Sequence, residues 1–124
     1  MMNNLLDPDP EFQELNISEL RSMMSRNNES VLRRGRAMME LGRRASSDPV
    51  LLQEVSGMIR AQENRQLMTV GTTSVSQLGT AGLIAGGSKK AIDLAAELVQ
   101  EWHRDEQSDF AWLMKSSGIA WPRG

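Results

Sequence analysis

The chain has 124 residues, no cysteine, one histidine and a formal net charge of −2 from 14 basic and 16 acidic side chains. That length suits one domain able to bury a core without metal or disulfide support, and the lack of cysteine excludes disulfides, thiol nucleophiles and Cys-ligated zinc within these residues. The charges are segregated: residues 1–19 hold five acids and no base, residues 21–44 hold seven arginines against Glu29 and Glu40, and residues 93–109 hold six acids against Arg104. The molecule is electrically lopsided without being basic overall.

The opening MMNNLLDPDPEF has no basic flank and no apolar core of the secretory type, so a cytoplasmic location is the expectation. Residues 1–16 read as an acidic arm. It either covers the first helices or acts as a detachable peptide anchored by Leu5, Leu6 and Phe12. Residues 17–118 read as a helical domain, and residues 119–124 as a tail.

Ile17 to Ser25 predicts a first helix, and RNNE a turn. Over residues 31–45, Val31, Gly35, Met38, Gly42 and Ala45 fall on one helical face. Asp48 and Pro49 read as N-cap and first helical position of the next helix, whose face is Leu51, Leu52, Val55, Met58 and Ile59. From about Asn64 to Ala85 the stripe Met68, Gly71, Val75, Leu78, Gly82 predicts a long helix, ended by Gly86-Gly87. The run between Arg65 and Lys89 carries no charge and is long enough to cross a bilayer. Its threonines, serines and glutamine argue instead for a helix surrounded by helices, so no membrane partner is expected. Ser88 caps KKAIDLAAELVQEWH, with Ala91, Ala95, Leu98, Val99 and Trp102 on its apolar face, and Ser108 to Lys115 makes a last short helix. No segment alternates with period two, so no sheet is expected.

Mid-helix glycines at 35, 42, 71, 79 and 82 each cost about 0.5–1 kcal/mol against alanine. Close approach of a neighbouring helix is the expected compensation. The nine methionines read mainly as gap-fillers in a core with two phenylalanines. Trp102, Trp112 and Trp121 read as an end cap, with Trp121 the one expected in solvent.

Three fragments recur at offsets in the middle thirties: VLRRG (31–35) with LMTVG (67–71), ELG (40–42) with QLG (77–79), and LRSMM (20–24) with VSGMI (55–59). A third, weaker unit follows in LVQEWHRDEQSDFAWLM. Paired helices at that period are the pattern of an α-solenoid. ESVLRRGRAMMELGRRA and NRQLMTVGTTSVSQLGTAGL each resemble the second helix of a HEAT or armadillo-like unit, and the resemblance spans about residues 17–115. It implies an all-α, short right-handed α-solenoid of about three helix pairs. Its customary turn pattern is present only loosely, as NNESVLR and QENRQLM. The family implies scaffolds and adaptors, with some nucleic-acid binders and some small members that handle phycobilisome pigments. A helical bundle fits the same periodicity.

His103, in QEWHRDEQ, is the one candidate for proton-transfer chemistry, as an enzyme or a pigment-lyase-like assembly factor. A polar surface turn explains it equally. GLIAGGSKK mimics a phosphate loop, but Ser88 stands where the lysine belongs and no strand precedes it. No cofactor and no metal site is expected. The remaining signal is RRGRAMMELGRR, whose Arg33, Arg36, Arg43 and Arg44, with Arg26 at the edge, have only Glu29 and Glu40 nearby in sequence. These five arginines are expected to form a basic helix face for an acidic protein partner, as in an adaptor, assembly factor or immunity-type protein without catalytic activity. Nucleic-acid backbone binding is the alternative, weakened by the absence of interleaved aromatics and a sequence pI of 5.4.

Overall fold

The computed structural model describes residues 6–26, 28–119 and 121. In chain order the elements are α1 (Pro10–Gln13), α2 (Ile17–Ser25), α3 (Val31–Ala45), α4 (Pro49–Arg60), α5 (Gln62–Gln66), β1 (Met68–Val70), β2 (Thr73–Ser74), α6 (Val75–Gly86), α7 (Lys89–Gln100) and α8 (Arg104–Ser116). The protein is mostly helical, as the periodicity predicts.

Helix starts follow from local chemistry. Side chains of Asn16, Ser30, Asp48, Ser74 and Ser88 each accept a hydrogen bond from a backbone N–H of the following helix, satisfying donors that the helix itself leaves open. Asn16 with Glu19, and Ser74 with Gln77, close reciprocal capping boxes. Gly87, at φ +87°, ends α6 in the left-handed region where a Cβ is penalised.

The largest interhelical contact is α3 against α6; α2 and α4 flank α3, and α7 packs on α6 and on α4. A Cβ built on Gly42 falls 2.5 Å from the carbonyl oxygen of Gly79 and 3.0 Å from the Leu83 nitrogen. A Cβ on Gly82 falls 3.0 Å from the Met39 carbonyl carbon, and closer still to its oxygen. The two backbones touch, and the hydrogen in each Cβ position points at a carbonyl across the gap, the geometry of a weak C–H···O contact. Around this seam lie Met38, Met39, Leu41, Leu78, Leu83, Val55 and Ile59, all buried.

Residues 75–84 of α6 are buried without interruption, which accounts for the uncharged but polar run. Ser76 donates to the Ile59 carbonyl at 2.7 Å and Thr80 to the Ser76 carbonyl at 2.9 Å. Gln77 donates to the Glu106 carbonyl at 3.1 Å, tying α8 to α6. Each of these buried hydroxyl or amide groups has a protein partner, so burial costs little.

Some expectations require correction. Residues 64–85 are not one helix: α5 stops at Gln66, and an antiparallel hairpin follows, with Met68 opposite Ser74 and Val70 opposite Thr73 around a bulge. A two-stranded sheet therefore exists where none was expected. Gly71 turns that hairpin at φ +56° instead of facing a helix. Consequently VLRRG opens a helix while LMTVG is extended, so that fragment match joins unlike structures; the matches at 40–42 with 77–79 and at 20–24 with 55–59 join helix to helix. The last helix begins at Arg104, four residues before the expected start.

Glycines at the seam and glycines in solvent have opposite expected effects on stability. Gly57, exposed within α4, has nothing within 4 Å of where a Cβ would stand. Gly57→Ala is expected to stabilise by about 0.5–1 kcal/mol from helix propensity. Gly82→Ala forces backbone apart and is expected to cost about 2–3 kcal/mol or more. Chemical denaturation of the two variants beside the wild type measures both, and equal, small effects would contradict the backbone-contact seam.

Candidate functional site

Arg33, Arg36, Arg43 and Arg44, together with Glu40, fall on one face of α3, roughly opposite Gly35 and Gly42 at 100° per residue. The glycine face goes to α6, so the arginine face is turned outward. It is not bare, as the sequence suggested; the acidic arm lies across it.

The arm is held by both ends of its short helix and by its middle. Asp9 caps α1 by accepting from the Glu11 N–H at 3.0 Å, and its other oxygen accepts from Arg36 Nη1 at 2.7 Å. Pro10 occupies the first helical position, where its missing N–H is harmless. Glu11 takes a two-point contact from Arg33, at 2.8 and 3.3 Å. At the other end, Arg44 Nη2 donates to the carbonyls of Phe12 and Gln13, both at 3.1 Å, serving as a cation at a helix C-terminus. Arg43 donates to the Leu6 carbonyl. Beneath these polar links Phe12 is 2% exposed and Leu6 is also buried, with the Arg33 guanidinium 5.3 Å above the Phe12 ring. Leu5, the third expected anchor, lies outside the described residues.

Acids within the helix layer complete the network. Glu29 accepts from Arg33 Nε at 2.7 Å and sits 3.7 Å from Arg26. Glu40, almost fully buried, accepts from Arg44 Nε at 2.9 Å. Its second oxygen is 3.6 Å from Arg43, attracted but too far for a hydrogen bond. Hydrogen bonds to Glu11 and then Glu29 hold Arg33 more firmly protonated than a free arginine, whereas burial pushes Arg43 downward against the pull of Glu40. The five arginines therefore divide. Arg33, Arg36, Arg43 and Arg44 all touch the arm; among the described residues Arg26 pairs with Glu29 alone, and its carbonyl accepts from Arg34.

The acids at the other end of the chain serve different arginines. Glu101 takes a two-point contact from Arg60, with a closest distance of 2.7 Å, and that hydrogen bond lowers the Glu101 pKa; Glu106 pairs with Arg65 at 2.9 Å. His103 is exposed at the N-terminal boundary of α8, its backbone N–H donating to Glu106 at 3.3 Å. Among the described residues no group of three or more His, Cys, Asp or Glu is placed to hold a metal ion, and no helix is long and apolar enough to cross a membrane.

Sequence reasoning missed the exposed apolar side chains. Trp112 is 71% exposed, while Trp121 stacks edge-on against Phe110 and is only partly exposed, reversing the expectation for the two tryptophans. Met68 and Val70, from the unexpected hairpin, are exposed as well. The face of α8 carrying Trp112 could have been found from the spacing Asp105, Asp109, Trp112, Ser116, had the helix been started four residues earlier.

Compared with protein-family models, with curated proteins and with solved structures, the chain matches none.

The Glu11–Arg33 pair is exposed and the Asp9–Arg36 pair half-buried, and pairs at such surface positions contribute about 0.2–1 kcal/mol each. Arg33→Glu with Arg36→Glu is therefore expected to raise arm opening roughly tenfold, read as faster chymotryptic cleavage after Phe12, with little change in the global unfolding midpoint. Unchanged cleavage would contradict electrostatic holding of the arm.

Proposed function

We propose that the chain is a non-catalytic protein-binding module of the cytoplasm, whose α3 arginine ridge takes an acidic segment of a partner protein. The single observation that carries this reading is the ridge's present occupant. Residues 9–13 already lie on it as a ligand would, with carboxylates on Arg33 and Arg36, a phenylalanine beneath, and carbonyls on Arg44. Two-point arginine–carboxylate geometry with a buried aromatic anchor is how acidic peptide segments are recognised. An incoming segment of the same pattern replaces the arm, so the arm sets a threshold that a partner must exceed.

For the architecture we propose a short HEAT-like solenoid of about three helix pairs, α2 with α3, α4 with α6 and α7 with α8, in which the glycine-bearing α3 and α6 are the second helices of the first two units. What supports it is the packing of α2 on α3 and of α4 on α6, together with the broad contact of α3 with α6, the layering that stacked helix hairpins produce. A module of this shape suits an adaptor, an assembly factor or an immunity-type protein.

A fluorescent DPDPEFQEL peptide tests the reading. Binding to the wild type is expected to be weak because the site is filled. Phe12→Ala loosens the arm and is expected to tighten peptide binding about tenfold, the equivalent of about 1.4 kcal/mol. Adding Arg33→Glu and Arg36→Glu should abolish it. Equal peptide affinity in the wild type and Phe12→Ala, or a preference for duplex DNA with a steep salt dependence, would overturn the proposal.

A further inference from the structure

The hairpin and α8 enclose a cleft of about 400 Å³, lined among others by Val70, Thr73, Asp109, Trp112, Leu113 and Ser116. It lies on elements separate from the arginine ridge. Its walls combine three chemistries. Trp112 presents an indole that is 71% exposed. Asp109, one helical turn earlier on the same face, makes no side-chain hydrogen bond or ion pair among the described residues. Val70 and Leu113 supply apolar surface, and Thr72, Thr73 and Ser116 supply hydroxyls.

The neighbouring charges sharpen the sign of the site. Arg65, which shares an adjoining hollow with Asp109, is already paired with Glu106 at 2.9 Å. Asp105, one turn before Asp109, also carries no side-chain partner among the described residues, and it extends the negative edge along α8. Lys115 stands on the other side of Trp112, in a separate hollow with Ile119 and Trp121. The field therefore runs from negative at Asp105 and Asp109 to positive at Lys115, with the aromatic face between them.

The geometry points to this cleft as a binding site for a basic segment of a partner polypeptide, one arginine or lysine side chain lying over Trp112 with its charge on Asp109. An electron-rich indole face attracts a cation, and an unpaired carboxylate at its edge fixes where the charge comes to rest. Val70 and Leu113 take the aliphatic stem of the same side chain. The open cleft, walled by one tryptophan, suits a side chain projecting from a chain that continues on both sides. The occupant is therefore a peptide and not a free ammonium compound. The site has the opposite charge preference to the α3 ridge and does not depend on it.

The test uses the full chain, ¹⁵N-labelled, titrated with capped tetra-arginine, capped tetra-glutamate and tetramethylammonium chloride. The Trp112 indole N–H resonance is identified by its loss in Trp112→Phe. Tetra-arginine is expected to shift that resonance saturably and tetra-glutamate to leave it in place, with tetramethylammonium acting only at concentrations at least tenfold higher. Asp109→Asn is expected to weaken the arginine peptide about fivefold or more, Lys115→Ala to strengthen it, and Arg33→Glu with Arg36→Glu to leave it unchanged. Trp112 and Lys115 are exposed, Asp109 is half-buried, and none of the three belongs to the buried core, so the variants retain the fold. A resonance unmoved by tetra-arginine, moved equally by tetra-glutamate, or indifferent to Asp109→Asn overturns the proposal. So does a shift with protein concentration alone, which would make a second copy of the chain the occupant. Tetramethylammonium acting at peptide concentrations would overturn the assignment to a polypeptide.

Discussion

The contact on which the rest of the structure depends is the one between α3 and α6, where Gly42 and Gly82 let two backbones meet. Glycine is a poor helix residue because it forfeits conformational entropy and side-chain burial. Here the missing Cβ is returned as proximity: the flanking Met38, Met39, Leu78 and Leu83 close over the seam and are fully or almost fully buried. The seam also fixes the rotation of α3 about its own axis. Once the glycine face is committed to α6, the arginine face can point only outward, toward the arm.

The same rotation explains why strongly charged helix and acidic arm coexist in one small domain. A helix with four outward guanidinium groups repels itself, and Glu29 and Glu40 offset only part of that. Asp9 and Glu11 supply the remainder, and Phe12 and Leu6 add apolar burial that the ion pairs alone do not provide at exposed positions. The arm is thus a small hydrophobic contact oriented by charge. The exchange proposed for the ridge requires that this attachment open without unfolding the α3–α6 pair beneath it.

Much of this was legible in the residues. The boundaries of α2 and α3, the Asp48-Pro49 start and the Gly86-Gly87 stop follow from capping chemistry and periodicity, because those signals are local. The hairpin was missed because Met68, Gly71 and Val75 also fit a helical stripe, although Thr69, Val70, Thr72 and Thr73 around Gly71 form a β-branched cluster with a turn residue in its middle. The occupied ridge was only half legible. Glu29 and Glu40 are near the arginines in sequence, whereas Glu11 reaches Arg33 across 22 positions, and pairing at that separation is a property of the tertiary fold. Exposure of Trp112 was hidden for a related reason: a helix started at Ser108 is too short to show the face it shares with Asp105 and Asp109.

Native-state amide hydrogen exchange across the chain tests the central claim most directly. If the glycine seam between α3 and α6 is what the other elements rest on, interior amides of these two helices exchange slowest, at the rate of global unfolding. Those of α7 and α8 then exchange faster, and the arm amides of Phe12 and Gln13, which donate to Asp9 at 3.0 Å, faster again. Interior amides of α3 or α6 exchanging ahead of α7 and α8 would contradict the account.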